Sequence, residues 1–587
     1  MIFEKIKSRV VAHLSYFVGS GHEAVVVDPQ RDCQVYVDIA KREGMRIKYV
    51  FETHRNEDYV IGSRELASLT GAEVYHGPWP EFMYGEKLKD GQEFRVGKLK
   101  VTALHTPGHT PGCMSYAVTD LATGGDVVMV FTGDTLFVGD AGRTDFGGPE
   151  KRREWSENLY NSIFNKLLPL GDHVVLCPAH GSGSVCGGGI ADREVSTLGA
   201  ERLMNPLLQM SREEFIDHKV REDHHYTPYF HLMEKYNVEG APFVGCGPNP
   251  RALTPKEFKE KADAGGVVVD TRPPPSFGAG HIKGSYSIST ARLGMGGWVL
   301  PYDKPILLVL GGQVDLDYVA RSLSQMGYDN LDGYLTGTIA SWYTNALPVE
   351  KLNLITVSDL KEMIEKHRNL LVVDVRSLDE YNGGHIDGCK HLYAGLVEQH
   401  ADEVPRDRPV ALICKSGTRS GFASSMLLRT GYRNIYNVLG GMTAWGNAGY
   451  PVTKYHFPRN DNPLISRLLW NLVNEIKDIS AEEYDREVKG SEIPAVLEFW
   501  VRSCNQCRKF KPVYERLPEV IGGNVRFLRM NMLKTIENLR LAEDMGVEQT
   551  PTTKVFCSGE EAGEIVGYLP LEEAAKTIYE LLQGCES

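Results

Sequence analysis

A multidomain α/β architecture is what the sequence predicts, and three observations predict it. Apolar strand candidates alternate with helical stretches over the first 245 or so residues. An internal repeat follows, in which a unit of about 100 residues recurs with a period of 104. A last strand–helix unit then fills 478–587 around a Cys-x-x-Cys. At 587 residues the chain has room for about four domains of roughly 150 residues each.

The elements justify themselves in order. Strand candidates at 24–28, 47–53, 99–104, 126–132 and 173–178 each run into a turn rich in Gly, Pro, His or Asp. A rigid sheet can make such loops converge on one ion. The run Gly245-Cys246-Gly247-Pro248-Asn249-Pro250 marks a boundary, and a first domain is expected over 1–247. In the repeat, Asp270-Thr271-Arg272 through Gly280-His281-Ile282 matches Asp374-Val375-Arg376 through Gly384-His385-Ile386. Pro305 matches Pro409, Met326-Gly327-Tyr328 matches Thr430-Gly431-Tyr432, and Gly337 matches Gly441. Two α/β domains of one fold are therefore expected, over 251–352 and 354–456. A connector at 457–477 carries an amphipathic helix pattern (Leu464, Leu468, Leu469, Leu472, Val473) expected to pack on a neighbour.

Bulk properties exclude several classes. With 42% hydrophobic and 24% charged residues, each domain can build its own core. A net charge of −13 argues against nucleic acid or an anionic membrane as partner. No apolar run approaches the roughly 18 residues of a membrane span, and charges interrupt the N-terminus where a signal peptide would be apolar. Eleven cysteines lie far apart and read as reduced catalytic thiols rather than a disulfide scaffold. A cytoplasmic location is the expectation.

Chemistry enters at Thr53-His54-Arg55-Asn56-Glu57-Asp58-Tyr59, which follows an apolar strand. Two further loops carry ligand types: His105-Thr106-Pro107-Gly108-His109-Thr110-Pro111-Gly112 and Phe131-Thr132-Gly133-Asp134. His54, His109 and Asp134 form a two-histidine, one-carboxylate set with open positions, which suits non-haem Fe(II) and oxygen.

On Thr53-His54, Thr106 to Cys113, Gly133 to Leu136, Gly142 to Phe146, Asn205-Pro206 and Ser211 to Phe215, residues 1–247 resemble the persulfide dioxygenase branch of the metallo-β-lactamase fold. The resemblance implies an αββα sandwich holding one Fe(II) per chain on His54, His109 and Asp134, with zinc the alternative. It also implies that Arg143 orients the persulfide carrier, through a guanidinium fork suited to carboxylate or phosphate. The fold's usual His-x-His-x-Asp-His is broken here: Asn56 and Tyr59 stand at its second and third histidines, and His180 is left to serve a second metal that Asn56, Asp58 and Tyr59 do not complete. Neither departure falls on an iron ligand of the branch. A decayed metal site kept as scaffold and a zinc thioester hydrolase remain as alternatives. Cys186, near a site loop, is a candidate for the pocket wall. His224, His225 and His231 read as surface or packing residues, and Cys33, Cys113, Cys177, Cys246, Cys389, Cys557 and Cys585 as structural or incidental.

The second repeat copy carries Cys414-Lys415-Ser416-Gly417-Thr418-Arg419-Ser420 between the strand Val410 to Ile413 and a helix. A cysteine heading such a loop faces backbone N–H groups and a helix N-terminus, which stabilise a thiolate or persulfide. Lys415 and Arg419 add positive charge at the rim, and the short spacing fits a single sulfur better than a phosphate. The copy resembles a rhodanese, with Asp374 and Arg376 as buried structural partners. In the first copy the repeat places Leu310 at the cysteine position and Asp315 at the arginine position, so it is expected to be an inactive pseudo-rhodanese serving as spacer or docking surface.

The last unit resembles thioredoxin. Strand Ala495 to Trp500 leads to Cys504-Asn505-Gln506-Cys507 at a helix start, with Pro512 inside and Thr550-Pro551 as the loop facing the dithiol. Cys504 is expected to attack, Cys507 to resolve, and Glu498 to act as the buried acid. Together these sites predict a sulfur relay whose partners are a low-molecular-weight thiol persulfide, O2, sulfite or thiosulfate, and a thiol-disulfide reductase. The alternative is a sulfur-trafficking protein without oxygenase activity. Related dioxygenases self-associate, so a homo-oligomer is expected.

Overall fold

Strand Leu14–Ser20 shows how the N-terminal sandwich arises. Side chains alternate faces along a strand, and here Leu14, Tyr16 and Val18 turn to one apolar cluster while Phe17 turns to another. Both faces are buried, so the strand reads as a continuous apolar run rather than an alternating one. It hairpins through Gly21, at φ +63°, onto Glu23–Val27. The structure, a computed structural model, describes all residues except Arg9, Glu194, Asp223, Cys246, 313–314, 367–368, 455–475, Glu492, 522–524, Ser558, 584–587 and the side chains of Asp379, Glu519, Glu572 and Gln583. The connector helix expected within 457–477, Cys246 and Cys585 therefore lie outside the described residues.

Two six-stranded sheets stack face to face. The first runs in chain order from Ile2–Lys7 to Glu86–Lys87; the second runs from Ser196–Thr197 through Val175–Pro178, Val127–Gly133, Met114–Asp120 and Leu99–His105 to Glu93–Val96. Between them lie Tyr16, Val27, Phe51, Val101, Met114, Tyr116 and Phe131. Helices Gln34–Arg42 and Ser63–Thr70 cover the outside of the first sheet through Tyr36, Ile39 and Leu66. Pro149–Ser162 and Arg212–Arg221 cover the second through Leu159, Phe215 and Ile216. The order is helix, sheet, sheet, helix. Burying one large apolar side chain stabilises by about 1.5–3 kcal/mol, so the layers hold without covalent staples. Strands Ile2–Lys7, Leu14–Ser20, Glu73–His76, Glu93–Val96 and Met114–Asp120 go beyond the five expected from sequence; Leu14–Ser20 and Met114–Asp120 are buried on both faces and leave no period-two signal, and Glu73–His76 and Glu93–Val96 are only four residues long.

The two repeat copies are five-stranded sheets of identical order. The first runs Ala252–Leu253, Leu331–Leu335, Ile306–Val309, Val267–Asp270, Tyr286–Ser287; the second runs Asn353–Ile355, Ile435–Val438, Val410–Ile413, Leu371–Asp374, Lys390–His391. Their neighbouring core strands are parallel, and the connections are helical. One continuous apolar core joins them, and it also takes in Val60, Ile61, Tyr229, Phe230 and Met233 from the sandwich. Met1–Thr453 is accordingly one compact unit.

The second unit, Lys454–Ser587, has a mixed five-stranded sheet in the order Lys477–Asp478, Arg526–Asn531, Ala495–Trp500, Thr552–Cys557, Glu560–Val566. Helices Asn505–Tyr514 and Leu571–Gln583 accompany it. Cys557 is disulfide-bonded, whereas Cys33, Cys113, Cys177, Cys186, Cys389, Cys414, Cys504 and Cys507 are free thiols. Among the described residues no helix is long and apolar enough to cross a membrane.

Candidate metal centre and thiol sites

Three loops at strand ends bring His54, His109 and Asp134 together. His54 follows strand Arg46–Phe51, His109 follows Leu99–His105, and Asp134 ends Val127–Gly133. Gly133, at φ +54°, makes the approach possible, because a Cβ there would lie 2.6 Å from Thr53. His54 Nε2 lies 3.6 Å and His109 Nε2 3.5 Å from Asp134 Oδ2. All three side chains are buried.

Hydrogen bonds set the tautomers. Thr53 Oγ1 donates to Asp28 Oδ2 (2.7 Å) and so accepts from His54 Nδ1 at 2.9 Å. His109 Nδ1 lies 2.9 Å from the Arg143 carbonyl, which can only accept. Each imidazole thus carries its proton on Nδ1 and turns a lone pair on Nε2 into the site. Burial holds the His54 imidazole down at about 4. Burial also disfavours the Asp134 anion, but His180 and His54 outweigh it and hold this carboxyl well below the usual range. His54 Nε2, His109 Nε2 and Asp134 Oδ2 are buried without a hydrogen-bond partner. Orphaned acceptors converging in a buried site are costly unless a cation sits among them, so these residues fit a metal.

At the position of a second metal only Asp58, His180 and Cys186, among the described residues, bring donor atoms together. His180 Nδ1 donates to Asp134 Oδ1 at 2.7 Å, and its Nε2 lies 3.1 Å from Asp58 Oδ2. That second contact is close enough for an ion pair but off line for a hydrogen bond, since Asp58 Oδ2 has no hydrogen-bond partner. Burial would lower the His180 value, yet Asp134 and Asp58 hold it well above the ordinary one. Through Nδ1, His180 orients Asp134, and its Nε2 is buried without a hydrogen-bond partner. Tyr59 stacks on His13 with ring centroids 3.8 Å apart, and burial pushes its phenol well up. Asn56 turns its amide to the His54 carbonyl at 3.3 Å.

The ligand loop is clamped from outside. Asn237 donates to the carbonyls of Asn56 (2.6 Å) and Tyr59 (2.7 Å), and Tyr229 to that of Asp58 (2.9 Å). Two residues here escaped the sequence reading. His13 bore no motif at all, while Glu57, a fully buried carboxylate three residues after His54, could have been noticed as a further ligand type in the loop. Glu57 Oε2 lies 3.7 Å from His109 Nε2. Cys186, buried, has its sulfur within 4.8 Å of donor atoms of His109 and Asp134 and of Asp58 and His180.

Arg143 does not present a free fork. Its Nε and Nη2 donate to Asp145 at 2.6 and 2.7 Å, and its remaining N–H groups reach the carbonyls of Val185, His224 and His225 at 3.3–3.4 Å. All five donors have protein acceptors. The arginine therefore braces the backbone behind His109 rather than offering itself to a carrier. His225, whose carbonyl it holds, stacks on Tyr393 of the second repeat copy at 4.5 Å.

Cys414 sits in a cradle. The Gly417 N–H points at its sulfur at 3.1 Å, and the Ser420 hydroxyl lies 3.4 Å away. Gly417 takes φ +97° to begin helix Thr418–Arg429. Lys415 and Ser416 are exposed at the rim, and Thr418 is partly exposed. Arg419, expected to face the anion, is held bidentately by Glu380 at 2.5 and 2.7 Å. Despite partial burial, that pairing lowers the Glu380 carboxyl to about 2.

In the second unit, Cys504 caps helix Asn505–Tyr514 and receives the Cys507 N–H at 3.0 Å. Burial disfavours the Cys504 thiolate, but hydrogen bonds with Cys507 and Thr550 outweigh it and the value is lowered; burial raises Cys507. The Thr550–Pro551 bond is cis, and the Thr550 carbonyl lies 3.2 Å from the Cys504 sulfur. Burial lifts Glu498 to about 7 against the pull of Arg529, whose Nε donates to it at 2.6 Å. Sequence alone did not single out Arg529.

Comparison with known proteins follows these divisions. Residues 8–180 match the Metallo-beta-lactamase superfamily, residues 254–345 and 356–448 the Rhodanese-like domain, and residues 475–580 Thioredoxin. The chain is 32% identical over 210 residues to the mitochondrial persulfide dioxygenase ETHE1 of Bos taurus and 31% identical to that of Homo sapiens, each match covering 34% of this chain and 74% of the relative. A crystal structure titled metallo-beta-lactamase from Staphylococcus aureus is similar with TM-score 0.51 at 27% identity, covering 57% of this chain and 98% of that one.

Proposed function

Because this chain belongs to the persulfide dioxygenase family of the metallo-β-lactamase superfamily, with two rhodanese-like domains and a thioredoxin domain beyond it, we propose that it oxidises a low-molecular-weight persulfide to sulfite and passes sulfur through Cys414 and Cys504. One persulfide, one O2 and one water yield one thiol and one sulfite. The observation that carries the reading is the set of buried, orphaned acceptors, His54 Nε2, His109 Nε2 and Asp134 Oδ2. An Fe(II) ion held there would supply redox chemistry with O2 and a seat for the persulfide sulfur.

The residues around it favour oxygenation over hydrolysis. Thr53 and the Arg143 carbonyl hold both imidazoles in the ligating tautomer, and His180 keeps Asp134 oriented and ionised. With Tyr59 packed on His13 and Asn56 turned to the His54 carbonyl, the second ion on which a hydrolase of this fold relies loses two histidine positions and, among the described residues, keeps only Asp58, His180 and Cys186 nearby. At the rhodanese site, a persulfide on Cys414 gives its outer sulfur to sulfite, forming thiosulfate and regenerating the Cys414 thiolate. The Gly417 N–H stabilises the anion in both states. In the thioredoxin unit, the Cys504 thiolate accepts a sulfane sulfur. Cys507 then displaces hydrosulfide and closes the disulfide, which a thiol-disulfide reductase reopens.

Oxygen uptake by anaerobically purified, Fe(II)-loaded full-length protein on adding glutathione persulfide tests this, with sulfite quantified. Stoichiometric uptake and sulfite are expected, and Asp134→Ala should abolish both together with bound iron. No uptake, with Cys414-dependent sulfur transfer intact, would leave a sulfur-trafficking protein in place of a dioxygenase.

A further inference from the structure

Glu57 enters the metal loop fully buried, and its two oxygens have different surroundings. Oε1 accepts from Arg55 Nη2 at 2.9 Å and Nε at 3.2 Å. Arg55 is itself anchored: it donates to Glu234 at 3.0 Å and lies over the Trp79 ring at 5.3 Å. The carboxylate is thereby pinned with Oε2 turned inward, and Oε2 has no hydrogen-bond partner. His109 Nε2 lies 3.7 Å from it, too far for a hydrogen bond. Glu57 Oε2 and His109 Nε2 are both buried and neither has a hydrogen-bond partner. Burying two such groups together is unfavourable without a cation.

We propose that Glu57 Oε2 is a fourth protein ligand of the metal, beside His54, His109 and Asp134. This rests on the metal-dependent reading above. Bonds of about 2.0–2.2 Å to one ion put donor atoms roughly 3–4.4 Å apart. The separations here are 3.5, 3.6 and 3.7 Å, and His54, Glu57 and His109 offer donor atoms all within 4.8 Å of one another. Two neutral imidazoles and two carboxylates balance a divalent ion's charge completely. They also leave two open positions in a six-coordinate site instead of three, enough for one sulfur and one O2 without a spare water. The relay Glu234–Arg55–Glu57 keeps the extra ligand in place from outside the site.

The test is anaerobic titration of the full chain with Fe(II), and separately with Co(II), against a competing chelator, for the native protein and for E57Q, E57A and E57D. Positioning partners outside the ligand set are worth about 10–100-fold in metal affinity, so E57Q and E57A should weaken binding by about 100-fold or more. They should also shift the ligand-field absorption of the Co(II) form, while E57D recovers part of both. Affinity within about threefold of native, with unchanged Co(II) bands, would overturn the assignment, since a carboxylate that only neighbours His109 leaves those bands in place. Near-UV circular dichroism of the metal-free proteins controls for folding, and the isosteric E57Q carries the test if E57A loses its native spectrum. Glu57-dependent metal binding without persulfide-driven oxygen uptake would sink the dioxygenase reading and keep Glu57. Oxygen uptake with Glu57-independent binding would do the reverse, and a native protein that takes up neither ion overturns both.

Discussion

In both rhodanese-like copies a buried aspartate at the end of a parallel strand grips the arginine two residues on. Asp270 accepts from Arg272 Nη2 at 2.5 Å and Asp374 from Arg376 Nη2 at 2.6 Å, and each arginine also donates to a glycine carbonyl, Gly280 or Gly384. His281 stacks on Phe277 as His385 stacks on Tyr381, and Trp342 and Trp445 each donate to a proline carbonyl at 2.9 Å. The copies part at one loop. Cys414 has its amide and hydroxyl donors, while Leu310 lies in the apolar core.

The copy without a thiol has a different task. Its Gln325 carbonyl accepts the Val60 N–H at 2.8 Å, directly behind the metal loop, and its Asp329 receives both ends of the buried Arg31 fork at 2.8 and 2.6 Å. Both copies touch the sandwich, the second through Tyr393 on His225, but only the second carries the Cys414 cradle among the described residues. Scaffold residues survive in both because folding needs them whether or not the loop reacts.

The largest effect expected from breaking this comparison is chemical. Cys414→Ser should lower thiosulfate-dependent sulfur transfer by more than about 1,000-fold, read as thiocyanate formed from cyanide, while oxygen uptake stays unchanged. Leu310→Cys should give no transfer of its own in a Cys414→Ser background, because the repeat places Asp315 and Leu316 at the positions of Arg419 and Ser420; activity there would refute the difference between the copies. Next come the shared pairs. Asp270→Ala and Asp374→Ala should each cost about 3–5 kcal/mol by leaving a buried arginine unpaired, and similar shifts in denaturation midpoint would show the pairs to be equivalent. Leu310→Ala should cost about 2–5 kcal/mol through the cavity it leaves, with both activities retained at temperatures where the protein stays folded.

The smallest effect is a pH dependence unique to the second copy. Glu380 has a folded value of about 2, below its ordinary one of 4.5, so its pairing with Arg419 contributes stability above about 4.5 that is lost as pH falls towards 2. Ser276 stands at the matching repeat position in the first copy. Glu380→Gln should therefore flatten the acid limb of stability measured by thermal melts, and an unaltered limb would show that the pair adds nothing.

Much of this was legible in the chain itself. Repeat spacing, the Cys414 and Cys504 loops and the three ligand loops are local patterns, written in residues close together in sequence. What escaped were partners brought in from afar. Glu380 lies 39 residues from Arg419, and its salt bridge shares a cation that also acts on the Cys414 sulfur. Arg143 looked like a free fork until Asp145 and the carbonyls of Val185, His224 and His225 claimed its donors. His13 and Tyr59, 46 residues apart by number, stack where the fold's usual motif has a histidine ligand.

By itself the sequence determined the kinds of chemistry present: which thiols head helices, which imidazoles follow strands, and which repeat copy lost its nucleophile. Those features follow from residue identity and local spacing, because helix starts, tight glycine turns and strand ends are built from neighbours. Tertiary structure decided the state of each group. Whether a guanidinium is free or paired, which imidazole nitrogen carries the proton, and whether a carboxylate such as Glu57 meets a metal loop's other donors all depend on desolvation and on charges from distant segments, which no local pattern records.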